Sequence, residues 1–118
     1  MKPLEYLTMN RINQNIEAAT KAIRLLLENQ QCGDLPGRVS ENGVKTRVAN
    51  RDLLSDGETL NRIDIKTNIH GEAWELDSRM ERLDKKCLQL AMMFNCQCYF
   101  EDFGNGWNNR VEVQVSHA

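Results

Sequence analysis

Two apolar stripes at helical spacing, with alternating apolar–polar runs between and after them, predict an α+β fold. Two long amphipathic helices should pack on a small, mostly antiparallel sheet, in the rough order α-ββ-β-α-ββ. The chain of 118 residues has the size of one domain, 1–118, and its 41% hydrophobic and 27% charged residues are those of an ordinary globular protein.

The first helix is expected over about 4–31. Met9, Ile12, Ile16, Ala19, Ile23 and Leu26 recur at spacings of 3, 4, 3, 4 and 3, and Pro3 stands where a missing N–H costs nothing. Cys32-Gly33 and then Pro36 supply the stop. Such a helix is about 40 Å long, more than one small sheet readily covers. Its stripe, with Met9, Ile12, Ile16 and Ile23 at the contact, is therefore expected to form a symmetric homodimer.

Residues 37–61 read as a hairpin and loop. Asn42-Gly43 suits a type I′ turn between Arg38-Val39-Ser40 and an arm in which Val44, Thr46 and Val48 face one way and Lys45 and Arg47 the other. Residues 49–61 hold no period and are expected to be a loop with one helical turn near Leu53-Leu54. Residues 62–68 alternate as a half-buried strand, Ile63, Ile65 and Thr67 inward.

The second helix is expected over about 72–94. Ala73, Leu76, Met80, Leu83, Cys87, Leu90 and Phe94 form its stripe, and Glu75–Arg79 and Glu81–Lys85 have the favourable acid-first order. Ser78-x-x-Glu81 could open a helix at 79, but the stripe reaches back to Ala73 and favours the earlier start; Asn95 ends it. A hairpin over about 96–116 closes the chain, with Val111, Val113 and Val115 inward and a Gly/Asn-rich turn between its arms.

The function classes narrow by exclusion. No apolar run approaches the ~20 residues of a membrane span, and the N-terminus lacks the apolar core of a signal peptide, so the chain is expected in the cytoplasm, off the membrane. Cys32, Cys87, Cys96 and Cys98 are then reduced thiols. Cys-x-Cys on a strand places two thiols side by side on one face, which suits a helix-on-sheet core better than a zinc site, so no metal is assigned. His70 and His117 are poorly placed as bases for a nucleophile, and Gly33…Gly37 and Gly104-x-Gly106 lack phosphate-loop context. No catalytic residue and no cofactor are assigned.

Two surfaces remain. Arg38, Lys45, Arg47 and Arg51 form a basic arm that could follow a phosphate backbone, though without interleaved aromatics. Among the exposed-looking aromatics Trp74, Tyr99, Phe103 and Trp107, the last two fall in a polar turn that cannot bury both, as interface anchors do. The sequence reading is thus a non-enzymatic protein-binding module, a small regulator or inhibitor of the kind mobile elements such as phages carry. It would work through Tyr99, Phe103 and Trp107; the rival is a nucleic-acid or nucleotide binder using the 38–51 arm.

Overall fold

The structure, a computed structural model, describes residues 4–29, 38–39, 43–49, 53–54, 57–58, 62–104 and 107–117. Helix α1 spans Leu4–Asn29 and α2 Ala73–Met93; the strands are β1 Arg38–Val39, β2 Lys45–Ala49, β3 Leu53–Leu54, β4 Gly57–Glu58, β5 Arg62–His70, β6 Cys96–Asp102 and β7 Asn108–His117. Both helices lie on one face of an antiparallel sheet whose order is β1 and β2 on one edge, then β5, β7 and β6. The α+β expectation holds.

Period-2 alternation in β5 and β7 builds the floor of the core. Ile63 opposes Val115, Ile65 opposes Val113 and Thr67 opposes Val111, all buried on the helix face. The stripe of α1 closes on it through Ile16, Ala19, Ile23, Leu26 and Leu27, and that of α2 through Leu76, Met80, Leu83, Cys87 and Ala91. Buried Thr20 is satisfied by donating its hydroxyl to the Ile16 carbonyl at 2.7 Å.

Helix α2 starts where the stripe starts. Glu72 is its N-cap, its carbonyl accepting from Glu75 and Leu76, and Ser78 lies within the helix. Asn95 ends it at φ 59°, a left-handed position that asparagine tolerates.

Three expectations are corrected. Arg38-Val39 and Lys45–Ala49 do not pair with each other as a hairpin: both run antiparallel to β5 along the same edge. Val39 opposes Ile69 and Lys45 opposes Lys66, so the two segments meet β5 in registers that differ by three residues. Gly43 has the positive φ, 70°, that an Asn-Gly turn needs, but the residue is spent on this interruption of an edge strand. A two-residue arm cannot hold a hairpin against the long ladder β5 offers. Leu53-Leu54 is likewise extended rather than helical, pairing with Gly57-Glu58.

The third correction concerns the α1 stripe. Ile16 and Ile23 are completely buried in the chain's own core and Ile12 packs partly against it, so these residues are not available as a dimer surface. Helix α1 crosses β5, β7 and β6 together, and that breadth of sheet absorbs the stripe. The Met9 side chain lies outside the described residues, as do Cys32-Gly33, Pro36 and Arg51.

Candidate functional site: the aromatic rim of an open sheet face

One face of the sheet carries the helices; the other is open. Alternation puts Lys45 and Arg47 of β2, Asp64, Lys66 and His70 of β5, Arg110, Glu112 and Gln114 of β7, and Tyr99 and Glu101 of β6 on that open face. Lys45 stands beside Lys66 and Glu101 beside Glu112, both unfavourable like-charge pairs. Lys66 approaches Glu112 to 3.5 Å across the centre, and Arg62 holds Asp64 at 2.7 Å. The face is therefore basic toward β2 and acidic toward β6.

The aromatic residues gather where β6 turns into β7. Tyr99, Phe103 and Trp107 are 56%, 41% and 67% exposed. The Arg110 guanidinium carbon lies 4.4 Å from the centre of the Phe103 ring, a cation–π stack that orients the ring. The Trp107 carbonyl accepts from the Gly71 N–H at 3.4 Å, which ties this turn to the start of α2, where Trp74 is also exposed. One end of the molecule thus presents three large aromatics, Trp74, Phe103 and Trp107, with Tyr99 farther along the open face.

The base of the turn is rigid for a reason the sequence carries only faintly. Asn109 is buried, and its amide nitrogen donates to both carboxylate oxygens of Asp102, at 2.9 and 3.1 Å. A Cβ on Gly104 would fall 2.1 Å from that nitrogen, so only glycine fits there. Extending the Val111-Val113-Val115 alternation back by two residues would have marked Asn109 as inward.

Beneath the same end lies a buried ion pair. Arg79 is 1% exposed and reaches Glu75 at 3.6 Å. The pair has the expected helix spacing, but it is interior, on the flank of the α2 stripe, and a Cβ on Gly71 would come within 3.0 Å of the guanidinium.

The three described thiols pack in or against the core. Cys87 and Cys96 are buried and Cys98 is half-buried; burial pushes Cys96 above its ordinary pKa, and burial reinforced by nearby Asp84 pushes Cys98 up to about 12. Both stay protonated at neutral pH, the form that is a poor nucleophile. Of the basic arm, Lys45 and Arg47 are exposed side by side on the open face, while Arg38 lies opposite His70 across the edge ladder. No helix among the described residues is long and apolar enough to cross a membrane. No protein-family model, curated protein or solved structure compared with the chain matches it.

Proposed function

We propose that the chain is a protein-binding module without chemistry of its own, a small regulator or inhibitor whose working surface is the rim formed by Tyr99, Phe103 and Trp107. The observation that carries this reading is the exposure of Phe103 and Trp107 on a turn whose base is fixed by the Asp102–Asn109 hydrogen bonds. Large aromatics held rigid before binding lose little entropy on contact, and they dominate the energetics of interfaces. Trp74 extends the same surface, joined to it through the Gly71–Trp107 hydrogen bond.

Proteins retained by the immobilised chain from an extract of its source cells, each then titrated singly, test this. Trp107→Ala should weaken the specific partner by about 2 kcal/mol or more, roughly 30-fold, and the double reversal Lys45→Glu/Arg47→Glu should leave it nearly unchanged. The opposite pattern, with a nucleic acid as the ligand and affinity falling by a log–log salt slope of about −0.9 per phosphate contact, would assign function to the basic arm instead.

A further inference from the structure

The last strand of the sheet, β6, has β7 on one side and, among the described residues, no strand on the other. Which of its backbone groups face that free side follows from one hydrogen bond. The Phe103 N–H donates to the Arg110 carbonyl at 2.8 Å, so this pair and every second pair before it (Glu101–Glu112, Tyr99–Gln114, Gln97–Ser116) exchange hydrogen bonds between β6 and β7. Cys96, Cys98, Phe100 and Asp102 therefore turn their N–H and C=O groups outward. Seven residues run without a bulge, a proline, a lysine or an arginine; the charges that the strand does carry, Glu101 and Asp102, are both acidic and sit at its end.

Helix α2 overhangs this edge. Lys86, Gln89, Leu90 and Met93 line the groove against α1, so the opposite flank, at 100° per residue, carries Asp77, Glu81, Asp84 and Leu88 and looks out beyond β6. Helix α2 packs directly on β6, with Cys98 and Phe100 partly buried beneath it, so that flank borders the strand. The edge is thus bordered by Asp77, Glu81 and Asp84 above and by Glu101 and Asp102 within; the described cations near it are Lys85, 3.5 Å from Glu81, Arg110, stacked on Phe103, and Arg11, which shares a cavity with Cys96 at the strand's start. Exposed Leu88 adds an apolar contact over the inward side of any strand placed there.

We propose that β6 accepts an extended, basic segment of a partner protein as an additional antiparallel or parallel strand, with backbone hydrogen bonds to Cys98 and Phe100 and cationic side chains against the acidic flank of α2. A second copy of this chain is the wrong occupant, because pairing β6 with itself would set the acidic flank of α2 against its own duplicate. This rests on the protein-binding reading above and names the chemistry of the segment bound beside the aromatic rim.

The probe is a capped octapeptide of alternating lysine and valine, compared with its glutamate–valine counterpart, followed by amide NMR and hydrogen exchange on the intact chain. The basic peptide should shift the amides of Cys98 and Phe100 and slow their exchange, whereas the acidic peptide should do neither. Cys98→Pro removes one outward N–H and should abolish the response. Glu81→Lys/Asp84→Lys leaves the backbone intact and should weaken binding by about tenfold or more, so the idea stays testable even where the proline variant does not fold. Equal response to both peptides, or protection that appears at Lys45–Ala49 instead, overturns the edge proposal. If the edge fails this way while a natural partner still loses affinity on Trp107→Ala, only the edge is wrong; if the edge responds while the partner ignores Trp107→Ala, the rim reading alone falls.

Discussion

The two edges of the sheet are built on different principles. On the β2 edge, Thr46 and Val48 point to the same face as Ile65 and Ile63, yet both are exposed, Val48 by 54%, because neither helix reaches that far. The edge is interrupted between Val39 and Lys45 and carries Lys45 and Arg47 on its other face, so charge and irregularity discourage further pairing. On the β6 edge, Cys96 is buried and Cys98 and Phe100 are half-buried beneath α2, while the backbone rim stays continuous. One edge is uncovered by helix and chemically blunted; the other is covered by helix and chemically open. Position in a sheet does not set what an edge does: the helix above it and the charge along it do.

Breaking the β6 side at its turn should have the largest effect. Gly104→Ala drives a methyl into the Asn109 amide and should cost about 3 kcal/mol, the upper end of ordinary overpacking, since the base of the turn and not a flexible tip has to move. Denaturant titration measures the loss. Native-state hydrogen exchange should show β6 and the adjoining half of β7 losing protection first, with the β2–β5 ladder unaffected; uniform loss along the sheet would mean that the turn does not anchor β6.

A smaller pair of changes compares the two edges directly. Phe100→Ala removes a ring packed partly under α2 and should destabilise by about 2 kcal/mol, below the range for a wholly buried phenylalanine. Val48→Ala, on the same face at the other edge, should stay within about 0.5 kcal/mol. Similar values at the two sites, measured by the same unfolding titration, would show that exposure does not distinguish the edges energetically.

Much of this architecture was legible in the residues. The 3–4 spacing in α1 and α2 and the alternation of β5 and β7 located the core, because those patterns report burial on one face and burial is what the fold enforces. The β1–β2 arrangement was not legible. Asn-Gly specifies a local backbone conformation but not whether the chain reverses there, and the competing partner, β5, lies more than a dozen residues away in sequence. The surface expected for a dimer, Ile16 and Ile23, was misread for a similar reason: the stripe of α1 measures apolar surface, whereas the area of sheet available to cover it depends on how many strands assemble. At the candidate site, exposure of Phe103 and Trp107 followed from their polar turn, but the roles of Asn109 and Gly104 and the acidic flank beside β6 required the pairing register and the packing of α2.

The smallest expected effect is a pH dependence confined to the covered edge. Cys98 has an ordinary value of 9.0 and is pushed up to about 12, chiefly by burial and then by Asp84. An unfolded thiol releases its proton near 9.0, whereas the folded one keeps it, so between these values the unfolded chain binds fewer protons and stability falls as pH rises. Below that window the thiol is protonated in both states and contributes no slope. Cys98→Ala should therefore flatten the alkaline decline of the unfolding free energy without altering it near neutrality; Cys96, which burial also raises, contributes to the part that remains. Lys45–Ala49 on the β2 edge contains no thiol. Asp84→Asn removes the second cause of the shift and should speed alkylation of Cys98 by iodoacetamide at mildly alkaline pH. Should Cys98 in the unmodified chain react at the rate of a free thiol near neutral pH, α2 would not be shielding β6, and the contrast between the two edges would reduce to backbone continuity alone.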